Sequence, residues 1–151
     1  MSKGQEHIEK AHTLAAEWFR EHKARLYMLH ADSTQEGFTV IEWRRQDHSN
    51  YAMQFTIMRN YVVVTGDVGD AIYCFGCELT LEKLASFDWA YFVGKCVASE
   101  TGRDYTMKVP GIKHPVANVR AIGHFVGLKM AIKQLNSKPS DHPRPDETGA
   151  L

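Results

Sequence analysis

The chain is 151 residues long, with 44% hydrophobic residues, 24% charged residues and no net charge, a composition typical of one globular domain and not of a disordered protein. No apolar run reaches the roughly 18 residues of a membrane span, and the polar start MSKGQEHIEK is unlike a secretory signal. Three cysteines are too few for a disulfide framework, so we expect a protein of a reducing cytoplasm.

The first half of the chain predicts one helix followed by an antiparallel meander. Apolar residues recur at helical spacing over 6–29, although the run Leu26 to Leu29 would also suit the start of a strand. Polar turns and a tight hairpin at Arg59-Asn60 predict antiparallel neighbours. Segments rich in β-branched and aromatic residues predict the strands 38–44, 51–59, 61–65 and 71–75.

The second half is predicted to be mainly helical. Thr80 is expected to cap a short helix, and Ser86 or Asp88 a second helix from Trp89 to about Ser99. The last helix is expected over about 116–135, where an apolar stripe recurs at steps of four and three residues. Gly123 and Gly127 lower helix propensity in that stretch, which predicts a close approach by another element.

The predicted fold class is therefore α+β. We expect an antiparallel sheet of three or four strands, with an N-terminal helix and C-terminal helices packed on one face. Residues 1–136 would form a single domain. Residues 137–151 contain three prolines and almost no apolar side chains, so they are predicted to be a disordered tail.

Two motifs could carry chemistry, but each also suits a structural role. Asp67 and Asp70 could hold a divalent cation or act as an acid–base pair, yet Asp and Gly are also the residues that turns between strands use. Cys74 and Cys77 have CxxC spacing, but a second pair is missing, so these two thiols and Cys96 are interpreted as buried hydrophobic groups. The sequence contains no P-loop or nucleophile elbow. We therefore expect no cofactor or bound metal and assign no catalytic residue.

The charge is unevenly distributed along the chain. Residues 51–100 hold three basic and six acidic side chains, whereas residues 103–138 hold seven basic side chains and one acidic one. Such asymmetry suits an acidic partner surface, while the near-neutral pI of about 7.1 disfavours direct nucleic-acid binding. Trp and Arg supply much of the energy of protein interfaces. The predicted partner contacts are an exposed Trp43, Arg44 and Arg45 and the basic residues Arg103, Lys108, Lys113 and Arg120.

Part of the sequence resembles a group of small proteins from tailed phages and prophages. The resemblance covers about residues 8–104, and its motifs are GDVGDAIYCF (66–75), FDWAYFVGKCVASETGR (87–103), EWFREH (17–22) and EWRR (42–45). The group has no established activity, so the resemblance implies no catalytic residue. It implies an accessory protein that acts in a bacterial cytoplasm. Small accessory phage proteins often bind and block a host protein, including CRISPR and other defence machinery.

The leading hypothesis is a non-enzymatic, phage-type protein that binds and inhibits a host protein or a host protein–nucleic acid complex, away from membranes. One alternative is a small metal-dependent hydrolase or nuclease that uses Asp67 and Asp70. A second alternative is a nucleic-acid-binding module, whose affinity would fall steeply with salt. The sequence does not indicate an oligomeric state.

Overall fold

The computed structural model describes residues 3–30, 37–99 and 119–137. No helix within these ranges is long and apolar enough to cross a membrane. The elements in chain order are α1 (Lys3–Trp18), β1 (Lys23–His30), β2 (Gly37–Arg44), β3 (Met53–Met58), β4 (Tyr61–Gly66), β5 (Ala71–Cys74), α2 (Leu81–Ser86), α3 (Trp89–Gly94), β6 (Cys96–Ser99) and α4 (Val119–Ser137).

The six strands form one antiparallel sheet in which spatial order follows chain order from β1 to β6. The predicted α+β class and the meander are confirmed, whereas the predicted number of three or four strands is wrong. Two edge strands account for the difference. β1 takes up the end of the segment 6–29 that was predicted to be helical, and β6 lies inside the predicted helix from Trp89 to Ser99.

Local hydrogen bonds explain where the helices begin and end. The side chain of Thr80 accepts from the backbone N–H of Lys83 at 3.1 Å, and that of Asp88 accepts from the N–H of Tyr91 at 2.8 Å, which confirms the two predicted caps. α3 ends after Gly94, because the N–H of Lys95 closes a tight turn onto the carbonyl of Phe92. The chain then extends into β6.

The sheet has one face that packs against the helices and one open face. On the helix-covered face, Ile41 lies between Leu26 and Phe55 in the register of the ladder, and most neighbouring side chains are buried because α1 and α4 cover them. The apolar core on this face includes Ile41, Trp43, Met53, Phe55, Ile57, Val62, Val64, Ala71 and Tyr73. The open face carries the alternate residues of each strand.

α4 runs across the strands and reaches from the turn before β5 to β1. Along its length it contacts Val68 at Gly123, Met53 at Gly127, and the start of β1 at Gln134. A Cβ at Gly123 would lie 2.9 Å from Val68 Cγ1, and one at Gly127 would collide with Met53 Cε. The predicted close approach at both glycines is confirmed. The predicted tail, residues 137–151, lies outside the described residues apart from Ser137.

Candidate functional site

The turn Gly66–Asp70 connects β4 to β5 and engages both of its carboxylates. Gly66 and Gly69 have positive φ angles of 130° and 100°, which favour glycine. Asp70 Oδ1 accepts from the N–H of Gly66 at 3.0 Å, and Asp67 Oδ2 accepts from the N–H of Ala52 at 3.2 Å. The two carboxylates therefore serve as hydrogen-bond acceptors for backbone amides, the use that turns commonly make of Asp.

A metal site at this turn would need more ligands than these two carboxylates. Across the described ranges, no group of three or more His, Cys, Asp or Glu side chains could hold a metal ion. A hard divalent cation takes six or more oxygen ligands, several of which come from protein. Nothing in the described part of the chain therefore adds support to the metal-dependent alternative at Asp67 and Asp70.

His124 on α4 is completely buried and holds this turn against the helix. Its Nε2–H donates to the carbonyl of Gly69 at 2.9 Å, so its Nδ1 accepts the hydroxyl proton of Tyr73 at 2.8 Å. Burial lowers the pKa of His124 from 6.5 to about 4, because the charged ring would lose its hydration. The neutral imidazole thus links α4, β5 and the turn. The sequence signal was its position in the apolar stripe, three residues after Ala121.

The prediction that Trp43 is exposed is wrong. Its side chain is 1% exposed, because alternation along β2 directs it to the helix-covered face, where it contacts Phe19 and His22. His22 is also buried, and its Nε2–H donates to the carbonyl of Tyr51 at 3.0 Å. Burial lowers the pKa of His22. This aromatic cluster seals the junction of α1 and β1 and offers no indole surface to a partner.

Arg44 and Arg45 are accessible, but carboxylates of the same chain already bind them. Arg44 Nη1 lies 3.3 Å from Glu42 Oε1. Arg45 Nη2 lies 2.6 Å from Glu21 Oε2 and 2.9 Å from Asp47 Oδ2, and these contacts neutralise its charge locally. Such surface pairs are worth about 0–1 kcal/mol each.

Of the four basic residues that were also predicted to contact the partner, the structure describes one. Arg120 is exposed in the first turn of α4. Arg103, Lys108 and Lys113 lie outside the described residues. Arg120 lies one helical turn before His124 on α4, and its predicted grouping with the other basic residues stays a prediction.

The open face carries a surface that the sequence did not predict. Five large apolar side chains of four strands are between 36% and 56% exposed on this face, and we call them the open-face patch: Tyr27, Leu29, Phe38, Tyr61 and Ile72. Leu29 pairs with Phe38 across the first two strands. A mostly apolar row links the patch across the sheet: Tyr27, Val40, Thr56, Val63, Ile72 and Ala98. Contiguous exposed apolar surface is typical of an interaction site.

Basic side chains border the open-face patch at the start of β1. Lys23 and Arg25 make no ion pair within the described ranges. The guanidinium of Arg25 lies over the ring of Tyr27, 5.3 Å from its centroid, and the Tyr27 hydroxyl donates to Glu42 Oε2 at 3.3 Å. The border therefore presents positive charge beside an aromatic ring that is held in place.

A groove of about 670 Å³ lies beside the open-face patch, between the start of β2 and the β3–β4 turn. Apolar side chains line most of it, including Phe38, Met58 and Tyr61, and Arg59 and Glu78 add one charge of each sign. The backbone N–H of Leu79 donates to the carbonyl of Arg59 at 2.7 Å, which fixes one wall of the groove.

The cysteines are thiols in this structure. Cys74 and Cys77 are half-buried, whereas Cys96 is exposed. The interpretation of Cys96 as a buried thiol is wrong, because α3 ends at Gly94 and leaves Cys96 on the edge strand β6. Asn60 Nδ2 donates to Cys74 Sγ at 3.6 Å and to the carbonyl of Phe75 at 3.0 Å, so Cys74 belongs to the packing around the β3–β4 hairpin.

Comparison with known proteins yields no relative from which a role could be transferred. No family model matches the chain, and no curated protein or solved structure matches it. Any function must therefore be inferred from the residues that the fold brings together, among which the open-face patch groups five exposed large apolar side chains on one face of the sheet.

Proposed function

We propose that this protein is a non-enzymatic, phage-type accessory protein that binds and blocks a host protein through its open-face patch. The observation that carries the proposal is the set of five large apolar side chains exposed together on one rigid sheet face. A single exposed apolar residue needs no explanation, but a contiguous set on a monomer surface is uncommon unless it binds something.

The side chains of the open-face patch and its border indicate what kind of surface the partner should present. Aromatic and aliphatic groups are typical of the centre of an interface, where water is excluded, and Tyr and Arg are enriched among the residues that supply its energy. Lys23 and Arg25 border the patch without ion pairs in the described part of the chain. The expected partner is a protein surface with an apolar centre and acidic groups on one side.

The proposal of a host target rests on the resemblance to small phage and prophage proteins, whose motifs include residues 66–75 and 87–103. CRISPR-type complexes are one class of target that such proteins block. Binding a protein surface requires no catalytic cluster, and the carboxylates of Asp67 and Asp70 are occupied by backbone amides. This proposed role therefore agrees with the chemistry of the described residues.

The test is affinity capture from a nuclease-treated bacterial lysate, followed by titration of the captured protein in purified form. Phe38→Ser and Tyr61→Ser each remove an exposed ring, and each is expected to weaken binding about tenfold or more if it contacts the partner. The control is Leu14→Ser, because Leu14 is 52% exposed but lies on α1, away from the sheet face.

Charge reversal gives a second, independent readout. Arg25→Glu should slow association and reduce the salt dependence of binding, since like charges would then oppose each other. Equal affinity for the wild type, Phe38→Ser and Arg25→Glu would refute the open-face patch as the contact surface. A partner captured from an untreated lysate but not from the nuclease-treated one would instead favour the nucleic-acid alternative.

A further inference from the structure

At the start of β1, the side chain of Gln134 on α4 takes the place of a neighbouring strand. The backbone N–H of Ala24 donates to Gln134 Oε1 at 2.7 Å, and Gln134 Nε2 donates to the carbonyl of His22 at 3.1 Å. The primary amide of Gln134 thus makes the donor and acceptor contacts that a further strand would make. These contacts also show that the backbone of Ala24 faces away from β2.

Backbone groups of alternate residues in an antiparallel strand face the same edge. The N–H and C=O groups of Leu26 and Met28 therefore face outward like those of Ala24, while Tyr27 faces β2. Within the described ranges, no hydrogen bond is made to these outward groups of Leu26 or Met28. An edge of this kind accepts another strand.

The side chains at this edge are also incompletely covered. Leu26 and Met28 lie on the helix-covered side of the sheet but are 36% and 62% exposed. α4 bonds the start of β1 through Gln134, and Leu26 and Met28, further along the strand, stay this exposed in spite of the helix layer. The edge combines exposed apolar side chains with backbone groups that have no hydrogen-bond partner among residues 3–30, 37–99 and 119–137.

We propose that β1 pairs with β1 of a second copy of this chain, antiparallel and across a two-fold axis at Tyr27. In this register Leu26 lies opposite Met28 of the second copy, which brings the outward backbone groups of both copies into hydrogen-bonding positions. The two Tyr27 rings meet on the open face as a directly opposed pair, and aromatic cross-strand pairs stabilise sheets. The contact is isologous, as in most homodimers.

The charge pattern of β1 determines the direction of pairing and matches a second copy. Both cationic side chains, Lys23 and Arg25, lie in the first half of the strand, and the second half is mainly apolar. Antiparallel self-pairing places Arg25 opposite Leu29 and holds the cations of the two copies at opposite ends. Parallel self-pairing would instead place like charges side by side, which destabilises a sheet.

Pairing joins two six-stranded sheets edge to edge into one continuous sheet, so their open faces lie side by side. Tyr27 and Leu29 belong to the strand at the joint, so the two open-face patches become one surface. The proposal does not rest on the proposed host partner, because it uses the backbone edge of β1 and can be tested on the purified chain alone.

Disulfide trapping tests the register. Directly opposed residues of a non-hydrogen-bonded pair have Cα atoms about 4.5 Å apart, within the span of a disulfide, so Tyr27→Cys should form a covalent dimer on mild oxidation. The matched control is Arg25→Cys, because the Arg25 Cα atoms of the two copies would be about 14 Å apart. Both variants carry Cys96→Ser, since Cys96 is exposed.

Light scattering after gel filtration tests the assembly itself. We expect the wild type to show twice the chain mass of 17.1 kDa. Met28→Pro should show the mass of one chain, because proline removes an outward N–H that β2 does not use, and circular dichroism should confirm that the variant is folded. If Met28→Pro unfolds, Met28→Lys gives the same test by placing a charge at the edge. A monomeric wild type at every concentration, or equal cross-linking of the two cysteine variants, would overturn the proposal.

Discussion

His124 should make the stability of the protein depend on pH between about 4 and 6.5. Its ring is buried between Tyr73 and the carbonyl of Gly69, and its pKa is about 4 in the folded protein against an ordinary value of 6.5. Between these values the unfolded chain binds a proton at His124 that the folded protein excludes. The free energy of unfolding must therefore fall as the pH is lowered through this window.

The size of the effect follows from the two pKa values. A difference from 6.5 to about 4 corresponds to about 3 kcal/mol of lost stability by pH 4, and about 2 kcal/mol is already lost at pH 5. Above pH 6.5 the loss disappears, because both states are neutral at this residue. A marginally stable domain with about 5–15 kcal/mol would be visibly weakened by this single group.

Urea unfolding of the wild type and of His124→Gln, measured at pH 7, 5.5 and 4, isolates this contribution. Glutamine cannot be protonated in this range, so its stability should fall by about 3 kcal/mol less than that of the wild type between pH 7 and 4. Burial also lowers the pKa of His12 and His22, but both proteins share those residues. Parallel pH profiles for the two proteins, or an NMR titration of His124 with a pKa near 6.5, would refute the reasoning.

Four other substitutions, with one control, test the packing and the turn. Gly66→Ala should destabilise the protein by about 3 kcal/mol or more in urea unfolding, because φ is 130° and a Cβ would strike a backbone carbonyl, whereas Gly76→Ala has open space and should change little. Gln134→Leu should cost about 1–3 kcal/mol, since it leaves two backbone groups of the β1 entry without their partner. Asp67→Asn and Asp70→Asn should keep the turn hydrogen-bonded. In a thermal-shift measurement, Mg²⁺, Mn²⁺ and Ca²⁺ should stabilise neither the wild type nor these variants. If an ion stabilised the wild type but neither variant, the metal-dependent alternative would be restored.

The central strands and the caps could be predicted because their signals are local. Thr80 and Asp88 cap helices through contacts three residues away, and the apolar alternation in Met53–Met58 fixes which side chains face the helices. β1 was harder, because Leu26 to Leu29 is an unbroken apolar run that fits the period of a helix as well as that of a strand. Tertiary pairing with β2 decides between the two.

The candidate contact surface was only partly predictable for a related reason. Trp43 was expected to be exposed because it stands beside two arginines, but strand alternation turns it inward while Arg44 points out. The open-face patch is assembled from strands that are distant in sequence, so no local motif marks it. No local motif marks Gln134 either, since its backbone partners, His22 and Ala24, lie more than 100 residues away.

The same long-range contact has a consequence for synthesis of the chain. Gln134 is separated along the chain from Ala24 by 110 positions and from His22 by 112. The hairpins of the meander, in contrast, form between segments that are close in the chain. On the ribosome, strands β1 to β5 can therefore pair before α4 emerges, and the part of the helix-covered face that α4 later covers is exposed to solvent until then. The nascent sheet passes through a period in which both of its sides and its first edge can associate with other chains. Folding of this protein in a cell should accordingly be most sensitive to chaperones during the last stage of translation, and a ribosome stalled before residue 119 should hold a chain that aggregates on release.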